Sequence, residues 1–175
     1  MIPILVTAHE HERKYIRYGY QESMGEFIKT ISFHRKMNHA AVIFGSCGAL
    51  DYMGRYDYLI SPFAWHDEES LIVPDKIIPV GIEGYGYTAD HGVCTHTEAH
   101  LIKYKKSTYT VVVDQETTKF GRICIEAEIK WQSVRYVIDG CFRRIVPPGI
   151  NHFWRKHQHK RMQKKMEALL NEHTA

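Results

Sequence analysis

Short apolar runs alternate with amphipathic segments along this chain. Runs typical of strands buried on both faces occupy residues 2–8, 40–44, 58–61, 111–113 and 133–138. Apolar residues at helical spacing predict helices over residues 21–36, 117–129 and 151–171. The alternation predicts an α/β fold, in which a twisted, mostly parallel or mixed central sheet is flanked by helices. The length of 175 residues is that of one domain, covering residues 1–175.

The segments between these elements are rich in glycine and proline. Residues 45–48 (GSCG) follow a strand directly and predict a turn, and residues 62–69 predict a polar loop. Residues 74–92 indicate loops or an edge strand, because they contain several glycines and two prolines. A further strand end is predicted within residues 96–103.

The stretch over residues 110–140 organises the predicted site. Its first strand leads into Asp114, Gln115 and Glu116, and its second strand leads into Asp139. Ligands of open α/β sheets bind in the crevice outside the carboxyl ends of the strands. Glu116 and Asp139 are therefore expected to face one pocket. A plain surface turn is the alternative for Asp139, because Gly140 follows it.

Polar groups also follow two earlier strands. Ser46 offers a hydroxyl donor within the GSCG segment, where Gly48 would let the backbone approach a ligand closely. The cluster at residues 9–12 (HEHE) has metal-ligand residue types, so a metal site is one interpretation of it. The spacing of His9 and His11 differs from the H-x-x-x-H of a helical zinc site, and we expect neither a metal nor a cofactor.

Composition excludes several classes of protein. The formal charge of +3 is small, and the basic residues between 155 and 165 are typical of a solvated helix face, so a nucleic-acid partner is not expected. No apolar run reaches the length of about 20 residues that spans a bilayer. The amino terminus lacks the pattern of a signal peptide. The four cysteines are scattered, which favours reduced thiols in the cytoplasm.

Several motifs, taken in order, resemble the nucleoside phosphorylase/nucleosidase superfamily, and within it the methylthioadenosine/S-adenosylhomocysteine nucleosidases. The first strand runs into a small residue and an acidic cluster, and residues 45–50 (GSCGAL) match the family's G-[ST]-x-G-[GA]-L segment. Residues 57–67 echo its G-D-strand-Y-H-D pattern. Residues 114–117 (DQET) loosely match E-M-E-[SA], and residues 134–139 (VRYVID) match V-R-x-[IV]-S-D.

This resemblance implies a purine nucleosidase acting as a homodimer or a higher homo-oligomer. It assigns Asp139 as the acid that protonates the leaving base, Glu12 as the activator of water and Glu116 as the ligand of the ribose hydroxyls. The other implied substrate contacts are Ser46, Gly48, His9, Gln115, His100 and Arg135.

Alternatives remain for some residues and for the reaction. Arg135 either orients Glu116 or Glu12, or forms a structural ion pair, and Trp65 lies either near the pocket or in the core. A phosphorylase of the same fold would use phosphate, for which Arg13 and Arg17 are the nearest arginines. A nucleoside-binding protein without activity is the third reading, because Asp114 and Gln115 depart from the family signature.

Overall fold

The computed structural model describes residues 1–50, 58–90, 98, 102, 109–140 and 148–175, with the side chains of 139, 140, 148–152, 154 and 155 left aside. The strands are β1 (Pro3–Thr7), β2 (Gln21–Ser23), β3 (Ala40–Ala49), β4 (Leu59–His66), β5 (Leu71–Ile72), β6 (Glu83–Thr88), β7 (Val111–Asp114) and β8 (Trp131–Gly140). The helices are α1 (Met24–Lys36), α2 (Thr117–Glu126) and α3 (Pro148–Thr174), with a short 3-10 helix at Glu10–Glu12.

The eight strands form one mixed sheet with mostly parallel pairs. The main path runs β2-β1-β3-β7-β6-β4-β5, and β8 pairs with both β3 and β4. The pairings among β3, β7, β6, β4 and β8 therefore close a circuit of five strands. Register shifts at Cys47/Gly48 and Pro62/Ala64 supply the local bends that such closure requires. The predicted α/β fold class is confirmed.

Helices cover both faces of the sheet. Alternate residues of β1, β3 and β8 pack towards α1 and α2, whose Phe27, Phe120 and Cys124 join one apolar cluster. The intervening residues of the same strands pack against Met162, Met166 and Leu170 of α3. Strand alternation thus places Arg135 on the face of Trp131 and Val137, and Tyr136 on the face of α3. None of the helices in the described part of the chain has the length and apolar composition needed to cross a bilayer.

Two segments predicted to be irregular are strands. β3 continues through the GSCG segment, because Gly45 and Ser46 pair with Arg135 and Tyr136 of β8. β4 continues through Pro62 to His66, although residues 62–69 predicted a loop. Pro62 is tolerated there because it stands beside the bulge, where the strand ladder is already interrupted.

Other boundaries also differ from the prediction. Residues 21–23 form β2, and α1 begins at Met24, because Ser23 and Glu26 form a capping box across its first turn. β6 lies between β4 and β7, so this part of residues 74–92 is an interior strand. α2 ends at Glu126, and α3 extends beyond residues 151–171 at both ends. Of residues 96–103, only Glu98 and Ile102 are described, and both are helical.

Gly86 lets β6 pass beneath the ring of Trp65, which is fully buried. A Cβ at Gly86 would overlap three carbon atoms of that ring. We expect Gly86→Ala to lower the free energy of unfolding by about 1–3 kcal/mol or more, because the core would be overpacked. Urea denaturation measures this change. Gly81→Ala is the matched control, since a Cβ there meets nothing within 4 Å, and equal effects of the two variants would contradict the prediction.

Candidate active site

Glu12 is a buried carboxylate at the carboxyl end of β1. It is the last residue of the 3-10 helix and is only 3% exposed. Its Oε1 accepts hydrogen bonds from the backbone N–H of Ser46 at 2.9 Å and from Ser46 Oγ at 3.4 Å. Its Oε2 accepts the backbone N–H of His9 at 3.1 Å. Donors from two different elements therefore fix the carboxylate at the junction of β1 and β3.

Arg135 is a fully buried cation in β8. Its Nη2 lies 2.6 Å from Asp114 Oδ2 and 4.0 Å from Glu116 Oε2. Nε and Nη2 also donate to Thr117 Oγ1, at 3.2 and 2.6 Å. Burial lowers the pKa of Arg135, but the negative charges of Asp114, Glu116 and Glu12 raise it by a larger amount. The pKa of Arg135 therefore lies above its usual value. The guanidinium therefore stays charged and joins three separate chain segments.

Glu116 is the carboxylate of this group that reaches solvent. It follows β7, and 23% of its side chain is exposed. Burial raises the pKa of Glu116, the charges of Asp114 and Glu12 add to this increase, and Arg135 opposes it. His9 Nε2 lies 3.9 Å from Glu116 Oε1, and the His9 side chain is 59% exposed. The two residues thus form the accessible rim of the buried charge cluster.

Gly45 of β3 provides the space in which Glu12 and Arg135 meet. A Cβ at Gly45 would lie 2.5 Å from Arg135 Nη1 and would overlap Glu12 Oε1. Nη1 is buried and has no hydrogen-bond partner among the described residues. No described glycine has a positive φ, so backbone conformation does not require glycine at position 45. The close approach of two charged side chains to the strand does require it.

The structure brings five of the predicted site residues together, namely Glu12, Ser46, Glu116, Arg135 and His9. Gln115 is exposed beside Glu116. The main chain of Asp139 pairs with Gly48, two residues beyond Ser46 in β3, so both lie at this end of the sheet. The Asp139 side chain and the whole of His100 are outside the described residues. Among the described residues, no group of His, Cys, Asp and Glu has the arrangement of a metal site.

Asp114 and Thr117 belong to the cluster, although their side chains were not predicted to. Asp114 accepts hydrogen bonds from Thr88 Oγ1 at 3.0 Å and from the Thr117 backbone N–H at 3.2 Å. Thr117 Oγ1 also donates to Asp114. The spacing D-x-x-T ahead of a helix is the signal that could have identified this hydrogen-bonded pair.

Three further residues have definite places. Trp65 lies in the core, with its ring 5.9 Å from Arg135 Cζ. His66 is buried against the ring of Tyr87 at 4.8 Å. Arg13 Nη2 lies 3.8 Å from Glu26 Oε2, so its charge is directed at α1.

Arg135→Gln should lower the free energy of unfolding by about 3–5 kcal/mol at neutral pH, because it leaves buried carboxylates without their counter-charge. The difference in free energy of unfolding between wild type and Arg135→Gln should become smaller as the pH falls. Without Arg135, the pKa of Glu116 rises further above its unfolded value, and a group shifted upwards contributes stability that is lost as the pH rises through the folded pKa.

Urea denaturation at pH 7 and pH 4.5 measures both effects. Arg35→Gln is the matched control, since Arg35 and Glu128 form an ion pair whose side chains are 58% and 70% exposed, and such pairs contribute little. A deficit in Arg135→Gln that grows on acidification would contradict the prediction.

No protein-family model and no curated protein matches the chain. Solved structures match it over nearly its whole length. A futalosine hydrolase mutant of Helicobacter pylori has a TM-score of 0.73 and 12% identity, with 98% of this chain and 100% of that chain covered. A Streptococcus pneumoniae (S. pneumoniae) 5′-methylthioadenosine/S-adenosylhomocysteine nucleosidase, solved with the transition-state inhibitor MT-ImmA, has a TM-score of 0.71 and 11% identity, with 97% and 98% covered.

The corresponding nucleosidase of Colwellia psychrerythraea, solved with adenine, has a TM-score of 0.71 and 10% identity, with 98% of this chain and 95% of that chain covered. A Plasmodium knowlesi (P knowlesi) homologue of a P falciparum PNP matches with a TM-score of 0.53 and 15% identity, with 94% and 89% covered. At these identities the likeness establishes the fold. The chain has the fold of the nucleoside phosphorylase/nucleosidase superfamily, as its sequence motifs predicted.

Proposed function

We propose that this protein is a purine nucleosidase, which hydrolyses the N-glycosidic bond of an adenine-type nucleoside such as methylthioadenosine or S-adenosylhomocysteine. The products are the free base and the ribose moiety. The observation that carries the proposal is the placement of Glu12 and Glu116 around the buried Arg135, where Glu12 follows the carboxyl end of β1 and Glu116 follows that of β7. Residues that follow the carboxyl ends of strands commonly line the ligand sites of α/β sheets.

Glu116 is the proposed ligand of the ribose hydroxyls. Its partly exposed carboxylate can accept two hydrogen bonds from neighbouring hydroxyls at once. The transition state of glycosidic cleavage carries positive charge on the sugar, so a carboxylate at this position stabilises it more than the ground state. Arg135, at 4.0 Å, holds Glu116 from the buried side and leaves its outer face to the substrate.

Glu12 is the proposed activator of water. Oε1 of the carboxylate accepts both the N–H and the Oγ of Ser46, whereas Oε2 accepts the N–H of His9 and retains a further acceptor position. A water that donates to Glu12 would be oriented towards the anomeric carbon of a ribose held by Glu116. Ser46 Oγ lies 3.4 Å from Oε1 of the same carboxylate and can hold this water or a sugar hydroxyl.

Asp139 is the proposed acid that protonates the leaving base, usually at N7 of a purine. Its main chain continues β8 four residues beyond Arg135 and pairs with Gly48. This main-chain register supports the assignment, because Gly48 is two residues from Ser46 in β3. Protonation makes the base a neutral leaving group, while the sugar becomes cationic.

The charge of the cluster favours water over phosphate as the nucleophile. One guanidinium faces three carboxylates, Asp114, Glu116 and Glu12. A phosphate dianion would add further negative charge beside them, whereas water adds none. Arg13, a nearby arginine that could offset such a charge, faces Glu26.

A panel of purine nucleosides, incubated with the protein in the presence and absence of phosphate, tests the reaction. We expect free base and free ribose products without phosphate. Formation of ribose 1-phosphate only when phosphate is added would identify a phosphorylase. Binding of a nucleoside without release of base would identify a non-catalytic binding protein. Either result would overturn the proposal.

Asp139→Asn should reduce base release by about 10²–10⁴-fold, because the amide keeps the volume of the acid but supplies no proton to the base. Glu12→Gln should also lose hydrolysis, since the amide does not take a proton from water. Circular dichroism and urea denaturation control for folding. Near-normal turnover by the folded Asp139→Asn variant would place the proton donor elsewhere.

The raised pKa of Glu116 gives a pH dependence. Only the ionised carboxylate accepts from both ribose hydroxyls, so kcat/KM should fall as the pH drops through the pKa of Glu116, above its ordinary 4.5. Initial rates from pH 4 to pH 8 define this acidic limb. Glu116→Gln should remove this acidic limb, lower kcat and raise KM. An acidic limb that is unchanged in Glu116→Gln would assign it to another group.

A further inference from the structure

The segment that carries His9 and Glu12 is held from outside by α3. The fully buried side chain of Gln163 accepts the backbone N–H of Tyr15 through Oε1 at 2.8 Å. It donates from Nε2 to the backbone oxygen of His11, also at 2.8 Å. The two backbone contacts flank Glu12 in the chain, so a single side chain fixes the main chain on both sides of this carboxylate.

Further contacts of α3 reach the same segment. The carboxylate of Glu167 accepts the backbone N–H of Arg17. The ring of His159 stacks on His11 with 6.0 Å between centroids, and His11 stacks on His9 at 5.4 Å. His9 in turn faces Glu116 at the rim of the site. The segment is thus attached to α3 from His9 to Arg17.

The segment has little internal structure of its own. Its only regular element is the 3-10 helix of three residues, which is too short to fix a side chain by itself. α3, in contrast, is anchored on the sheet, since Met162, Met166 and Leu170 are fully buried in the cluster that contains Leu5, Val42 and Phe44, to which Ile16 of the segment also belongs. The position of the segment therefore depends on α3 as well as on its own backbone hydrogen bonds.

From this geometry we infer that Gln163 is a positioning residue for the Glu12 carboxylate. It fixes the position of the 3-10 helix relative to β3, and thereby the contacts of Glu12 with Ser46 and His9. The kinetic part of this inference rests on the proposed role of Glu12 in activating water. The structural part, that Gln163 fixes where the Glu12 carboxylate lies, does not depend on any activity.

Gln163→Met tests the inference, because methionine has a similar volume but neither accepts from Tyr15 nor donates to His11. The matched control is Gln132→Met. Gln132 is also buried and also holds a loop by its backbone, accepting from Ile77 and Ile78 at 3.0 and 2.8 Å and donating to the Ile78 oxygen at 3.0 Å. Both variants should lose stability, whereas only Gln163→Met should disturb Glu12.

Amide hydrogen exchange of His9 and Ser46, followed by NMR, reports on Glu12 directly, because both amides donate to its carboxylate. Exchange at both should accelerate in Gln163→Met and stay near wild type in Gln132→Met. In kinetics, Gln163→Met should lower kcat by roughly 10–100-fold with little change in KM, because displacing a catalytic group by about 1 Å costs up to this much.

The outcomes separate this inference from the proposed function. Unchanged exchange at His9 and Ser46 in Gln163→Met, or equal changes in both variants, would overturn the positioning role. Accelerated exchange in Gln163→Met, with a wild-type protein that cleaves no nucleoside, would support the positioning role and refute the nucleosidase. If Gln163→Met does not fold, Gln163→Glu gives the same reading, since its carboxylate still accepts from Tyr15 but, when ionised, no longer donates to His11.

Discussion

The site depends on one buried interaction, the compensation of the Arg135 guanidinium by three carboxylates from two segments of the chain. Asp114 ends β7, Glu116 begins the connection to α2, and Glu12 closes the 3-10 helix after β1. A buried charge without a partner costs several kcal/mol, so the fully buried Arg135 and Asp114 are stable in place only together. The buried charges therefore compensate one another only when β1, β7 and β8 are assembled, so the site forms together with the fold.

This cluster also explains why neighbouring positions are small or aromatic. Gly45 leaves room for Glu12 and Arg135 to meet beside β3, where any side chain would separate them. Trp65 places its ring near the guanidinium, which an aromatic face tolerates better than an aliphatic chain does. Three carboxylates around one cation leave excess negative charge directed towards Glu116, the exposed member. That excess is suited to a reaction whose sugar becomes positive as the bond breaks.

Sequence patterns predicted the elements whose signal is local. β1, β7 and α2 follow from apolar runs and helical spacing, and the motif resemblance brought Glu12, Ser46, Glu116 and Arg135 to one edge of the sheet. The patterns failed where long-range pairing decides the structure. Residues 45–48 have the composition of a turn, but β8 pairs with their backbone and makes them a strand. The direct partner of Arg135, Asp114, was missed for a similar reason, because an ion pair between two strands leaves no periodic signal.

Two loops are held by glutamine side chains, residues 11–15 by Gln163 and residues 77–78 by Gln132. A backbone segment presents both N–H and C=O groups, and an amide side chain is the residue type that can accept from one and donate to the other. A lysine at position 163 could donate to His11 but would bring a second cation towards Glu12, and would compete with the Ser46 and His9 amides for its oxygens. The neutral amide of Gln163 fixes residues 11–15 without altering the charge balance between Arg135 and its carboxylates. Gln163 therefore separates the positioning of Glu12 from its electrostatics, which the buried charge cluster alone determines.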